Sequence, residues 1–183
     1  MTTSAHHGMD PTRHPALLAW LTERREAFTA WAGRTGAADR LDFGAGSLDV
    51  LESLLRSAFT SDDEIRARRL DPFVQGAVWY LGEVICRTRG TVWKYERDAD
   101  LPAGTPMPPL FTPATPTAVL DTPCVALPED GPERALYPLN ILCRSLITQD
   151  ELGEPVEEHL RDALAEDYLD EEEDEDEVDF DED

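Results

Sequence analysis

Asp71-Pro-Phe-Val-Gln-Gly-Ala-Val-Trp-Tyr-Leu-Gly-Glu-Val-Ile-Cys-Arg-Thr-Arg-Gly90 is the stretch that decides the fold of this chain. Asp71 followed by Pro72 reads as a helix N-cap with a first-turn proline, and Gly90 as the residue that ends the helix. At about 100° per residue, Tyr80, Phe73, Val84, Ala77, Leu81, Val74, Ile85 and Val78 fall on one face about 160° wide, a core-facing stripe. The opposite face carries Gly76, Trp79, Gly82, Glu83 and Cys86. An indole between small residues is not the polar outside of a surface helix, so either a second layer covers this face or it is a docking surface. Glu83 is the carboxylate of this apolar helix, placed where a raised pKa would suit proton transfer. Arg87, four residues on in the favourable order, makes an intrahelical pair the simpler reading.

Downstream, Thr91-Val-Trp-Lys-Tyr-Glu96 alternates Thr91, Trp93 and Tyr95 against Val92, Lys94 and Glu96, the period of a strand. Asp98 to Pro116 holds six prolines and no periodicity, so it reads as a long loop. Residues 118–120 and 123–127 are candidate strands to pair with 91–96. After a turn at Pro128-Glu-Asp-Gly-Pro132, a helix from Pro138 to Thr148 turns Leu139, Leu142, Cys143 and Leu146 inward, and a last helix from Pro155 to Leu169 aligns Val156, Leu160, Leu164 and Tyr168. Upstream, a helix from Pro15 to Trp31 carries Leu17, Leu18, Trp20, Leu21, Phe28 and Trp31 and ends at Gly33 and Gly36. Another follows Ser47, read as its N-cap, with Asp49 in the first turn and Leu48, Leu51, Leu54, Leu55, Ala58 and Phe59 buried. The polar link from Thr60 to Arg69 has room for a helical turn of its own. The expectation is a single α+β domain over 15–149, a short antiparallel sheet packed with about five helices. A flexible lead-in spans 1–14, an acidic helix 150–169 and a disordered acidic tail 170–183.

Charge is segregated along the chain. Of 183 residues, 16 are basic and 39 acidic, net −23; residues 150–183 hold 20 acids against Arg161, giving −19, while residues 1–149 hold 19 acids and 15 bases, giving −4. Fourteen carboxylates lie within 166–183, and a block so charged repels itself. The charge disfavours direct nucleic-acid binding, which rests on Lys and Arg displacing counterions. No window has the roughly 18–20 apolar residues of a membrane span; the longest, Ala77 to Cys86, is broken by Gly82 and Glu83. The start of the chain lacks the pattern of a secretory signal, and Cys86, Cys124 and Cys143 form no CxxC pair, so a cytoplasmic protein with reduced thiols is expected. Arg66, Arg68 and Arg69, with Arg87 and Arg89 further on, form the basic cluster of the body. The acidic tail could fold back on it, or both could simply be solvated.

Leu41-Asp-Phe-Gly-Ala-Gly-Ser-Leu-Asp49 is similar to the first glycine loop of methyltransferases that use S-adenosylmethionine. The third glycine position holds Leu48, and no repeating strand and helix pattern follows, so the loop reads as a link into a helix and no cofactor is expected. His6, His7, His14 and His159 offer no paired metal-ligand spacing, and no histidine lies between 15 and 158 to serve a triad.

Gly76-Ala-Val-Trp-Tyr-Leu-Gly-Glu-Val-Ile85, Gly90-Thr-Val-Trp93 and Tyr137-Pro138-Leu139 together resemble small, uncharacterised bacterial α+β proteins, some of them associated with toxin immunity. The resemblance covers about a third of the chain. It implies a non-enzymatic α+β domain, with immunity as one possibility, and carries over no catalytic residue.

The expected function is therefore a non-catalytic, cytoplasmic protein-binding protein. Its acidic C-terminal region would engage a basic protein partner, as an immunity protein, an antitoxin-like inhibitor or a mimic of nucleic-acid charge would. The candidate contact residues are Glu171, Glu172, Glu173, Asp174, Glu175, Asp176, Glu177 and Phe180, with Trp79 and Glu83 on the body. One alternative is an accessory or assembly subunit docking through the Trp79 face; another is a small methyltransferase-like enzyme.

Overall fold

In the computed structural model, which describes residues 10–95, 109–112, 123–148 and 158–165, the order is α1 (Pro15–Thr35), α2 (Ser47–Ala58), α3 (Asp62–Ala67), α4 (Pro72–Arg89), β1 (Val92–Lys94), β2 (Cys124–Ala126) and α5 (Pro138–Arg144). Short 3-10 turns occupy Pro11–Arg13, Pro132–Arg134 and Asp162–Leu164. The result is a single α+β domain built around α4. The Asp71 carboxylate accepts the Phe73 N–H, Pro72 opens the first turn, and Gly90, at φ 71°, closes the helix.

α4 is buried nearly all round, with Val74 through Gly82, Val84 and Ile85 shielded from solvent. Its glycines explain how. The Trp31 indole of α1 lies directly on Gly76, and the Trp93 ring of β1 directly on Gly82; a methyl group at either position would overlap the ring. The Trp31 Nε1 donates to the Phe73 carbonyl (3.2 Å) and the Trp93 Nε1 to the Glu83 carboxylate (3.0 Å). The small residues that made the second face look unusual are thus seats for two indoles, and a second layer covers it.

Among the described residues the sheet has two antiparallel strands, with Val92 opposite Ala126, Trp93 opposite Val125 and Lys94 opposite Cys124. On its other side Val125 exchanges both backbone hydrogen bonds with Leu136 (2.8 and 2.9 Å). Trp93 and Tyr95, on one side of the alternation, are buried, and so is Lys94 on the other: its Nζ donates to the carbonyls of Pro128 and Asp130, tying β1 to the turn after β2.

Several boundaries differ from expectation. α1 runs through Gly33 and stops at Gly36, φ 70°, while Leu18 stays 47% exposed because Leu17, Trp20 and Trp31 already fill the inward stripe. Ser47 is the first helical residue rather than the cap; its hydroxyl donates to the Gly44 carbonyl and accepts from the Tyr80 OH. The polar link supplies α3, capped by the Ser61 hydroxyl on the Glu64 N–H. Within the proline-rich loop, Phe111 is buried against Trp20 at φ 61°, its carbonyl taking the Arg69 Nε–H (2.8 Å). Of the lead-in, residues 10–14 are pinned: the Pro11 carbonyl accepts the Tyr95 N–H (3.1 Å), and the His14 ring packs edge-on against Tyr95. The expected acidic helix is not α-helical over its described part, 158–165, which makes a turn and the 3-10 turn Asp162–Leu164. Residues 118–120 lie outside the described residues.

Candidate functional site

Residues 158–165 are the last described stretch before the fourteen terminal carboxylates, and they are fastened to the body. The fastening begins in α2, whose Leu48, Leu51 and Leu55 enter the core and leave Glu52 at the edge of that stripe, only 8% exposed. The Glu52 carboxylate accepts the Leu160 backbone N–H on one oxygen (3.1 Å) and meets His159 Nδ1 (3.1 Å) and Arg56 Nε (3.0 Å) on the other. Burial by itself would raise its pKa, but the bonds from Leu160, His159 and Arg56 outweigh that and hold it below its ordinary value.

Around this centre, Arg144 of α5 grips Glu158 through two nitrogens (both 3.0 Å), and Arg161 reaches the Asp49 carboxylate in the first turn of α2. Arg89, at the end of α4, donates to the Ala163 carbonyl (3.1 Å). The Asp162 carboxylate turns back to accept the His159 N–H (2.8 Å), shaping the turn. Leu160 and Ala163 are fully buried, so an apolar plug sits inside a ring of polar contacts. Residues 158–165 are therefore anchored at a defined place, between α2 and the C-terminal end of α4. Sequence reasoning found Leu160 as an inward residue but missed Glu52, whose carboxylate in an otherwise leucine-lined helix with Arg56 four residues on was the available signal.

Beside this anchor lies a groove of about 500 Å³, lined among others by Arg89, Thr91, Leu127, Asp130, Arg134 and Leu164. Leu127, 38% exposed, gives it an apolar wall; Arg134, exposed at the end of the Pro132–Arg134 turn, and Arg89 give it positive charge.

The body residues proposed from sequence are otherwise employed. Trp79 is 3% exposed, packed between Phe28 and Phe43 with ring centroids 5.5 and 5.9 Å away, so it is no surface anchor. The Trp79 docking face is thereby corrected: α1 and the 41–46 loop cover it. Glu83 accepts from Trp93 and pairs with Arg87 (3.6 Å), a carboxylate that holds an indole in place. Glu171, Glu172, Glu173, Asp174, Glu175, Asp176, Glu177 and Phe180 lie outside the described residues.

The glycine loop joins α1 to α2 and is turned toward the core. Phe43, at φ 64°, inserts its ring against Phe28 and Tyr80 and gives its N–H to the Tyr80 OH (2.9 Å), while the Arg87 guanidinium stacks 3.7 Å above the same ring. A methyltransferase loop follows a strand; this one follows a helix. The basic cluster is also engaged within the body: Arg68 pairs with Asp71 (2.9 Å), Arg66 with Asp62 (3.7 Å), and Arg69 holds the carbonyls of Phe111 and Arg66. None of the three cysteines forms a disulfide, and burial pushes the Cys86 and Cys143 thiols up to about 11. Among the described residues no group of three or more His, Cys, Asp or Glu side chains is arranged to hold a metal ion, and no helix is long and apolar enough to cross a membrane. No protein-family model matches the chain, and neither the curated proteins nor the solved structures contain a match to it.

Proposed function

We infer that this chain is a non-catalytic protein-binding protein of the cytoplasm, whose acidic C-terminal region engages a basic partner in the manner of an immunity protein, an antitoxin-like inhibitor or a nucleic-acid charge mimic. The observation that carries this reading is the fastening of residues 158–165 by Glu52, Arg144 and Arg89 immediately before a segment with fourteen carboxylates. A charged segment tethered at a fixed point keeps its negative field centred on one part of the surface. Such a field raises association rates toward a cationic surface and weakens with salt. The nearly neutral body, at −4 over residues 1–149, serves as its mount.

The test compares the full chain with a full-length variant in which the seven acids from Glu171 to Glu177 are changed to Gln or Asn, each used to capture proteins from host lysate at low and high salt. The captured partner is then purified and its affinity measured by calorimetry against both chains. The expected result is a basic protein bound at low salt by the natural chain and at least about tenfold more weakly by the variant, a loss of about 1.4 kcal/mol. Equal affinity for both chains, unchanged by salt, overturns the proposal.

A further inference from the structure

We propose that the groove beside the exit of the C-terminal segment is the resting seat of the chain's own acidic tail, residues 166–183, which a basic partner must draw out before it can bind. The inference rests on the proposed use of the tail and adds its regulation.

Three observations favour this occupant. The first is continuity: Leu164 forms part of the groove wall and Arg89 holds the Ala163 carbonyl, so the chain beyond Ala165 starts at the groove's edge. The second is charge. Among the described lining residues are two cations, Arg89 and Arg134, and one acid, Asp130, in a body that is slightly negative. A free anion would compete with tethered carboxylates whose effective concentration is on the order of millimolar. The third is composition. The groove combines cations with the apolar Leu127, Val125, Leu136 and Leu164, and the tail combines fourteen acids with Tyr168, Leu169, Val178 and Phe180. Individual exposed ion pairs contribute roughly 0–1 kcal/mol, so the seat is shallow enough for release by a partner with a denser positive surface.

The test uses the full chain without any partner. A nitroxide is attached to V178C, which leaves every carboxylate in place. At neutral pH the introduced thiol is the reactive one, since Cys86 and Cys143 are pushed to about 11 and Cys124 is 1% exposed. Residue 178 is thirteen positions beyond Ala165, a reach of up to about 45 Å, so a free tail would spread the label over a large volume. Seating predicts several-fold broadening of the backbone amide signals of residues 88–91 and 125–136 at about 0.01 M salt, where the screening length is about 30 Å. The signals should recover at about 1 M salt, where it is about 3 Å, and in R134Q, an exposed site whose change spares the core. Groove signals that stay sharp at low salt, or equal broadening in R134Q, overturn the seating. Neither result touches partner capture by the tail, so the two proposals fail separately.

Discussion

The middle of α4 and its C-terminal end show contrasting ways of holding chain segments together. Along the helix, the Trp31 and Trp93 rings press against Gly76 and Gly82, contacts that exist only because the glycines have no side chain. Near its C-terminal end, residues 158–165 are held by two carboxylates of α2, Glu52 and Asp49, and by Arg144 and Arg89, around the buried Leu160 and Ala163. The first arrangement is sustained mainly by dispersion and burial, with the Glu83 carboxylate adding one bond to the Trp93 indole. The second responds to both, since its members can be protonated or screened. The core is fixed by shape, and the launch point of the acidic tail by charge.

That contrast can be broken from either side. The largest effect is expected from Trp93→Ala, which empties the seat on Gly82 and strips Glu83 of its donor; denaturant unfolding should show a loss of about 3–5 kcal/mol. Gly82→Ala is a sharper test of the same contact. Helix propensity alone would stabilise it by about 1 kcal/mol, yet overlap with the Trp93 ring should reverse the sign to a net loss of about 1–3 kcal/mol. Glu52→Ala should cost about 1–3 kcal/mol by leaving the Leu160 N–H without its acceptor, and amide exchange at Leu160 should accelerate well before the α4 amides respond.

The pH dependence follows from the lowered Glu52 pKa. Above its ordinary value of 4.5 the carboxylate is charged in folded and unfolded chains alike and the contact contributes in full; that contribution is lost as the pH falls through the lower folded-state value. Protection of the Leu160 amide, corrected for the intrinsic exchange rate, should therefore hold from neutral pH down to about 4.5 and fall below it, while protection of the α4 amides stays constant over that first range. The smallest effect belongs to Arg161→Ala. Its pair with Asp49 leaves both side chains about half exposed or more, and thermal unfolding should register less than about 1 kcal/mol.

Much of α4 was legible because its cap, proline and terminal glycine obey local rules, and its 160° stripe is a local period. The meaning of its second face was not, because Gly76 and Gly82 acquire their purpose from indoles 45 residues upstream and 11 downstream, which no local pattern connects. The alternation over 91–96 marked β1 as a strand without saying which side is covered, and both are: Trp93 and Tyr95 on one, and on the other Lys94, enclosed by a following turn whose carbonyls take its ammonium. The helical period over Val156, Leu160, Leu164 and Tyr168 overstated the C-terminal segment. Its described part adopts a turn because the Leu160 N–H is given to Glu52 rather than to a carbonyl of its own helix, and Asp162 caps back on His159. Five α-helices stand among the described residues, α3 in the polar link among them. Trp79 illustrates the same limit: a large aromatic opposite a core stripe marks a second contact, and sequence does not say whether that contact is internal.

Lys94 is the single lysine among 183 residues, and the fold encloses its ammonium between two backbone carbonyls. An endoproteinase that cuts after lysine thus has one side-chain address in the whole chain, and it is closed in the native state. Cleavage at that bond, or acylation of that amine, would give a single-event clock for the parting of β1 from the 128–130 turn, with no engineered reporter required.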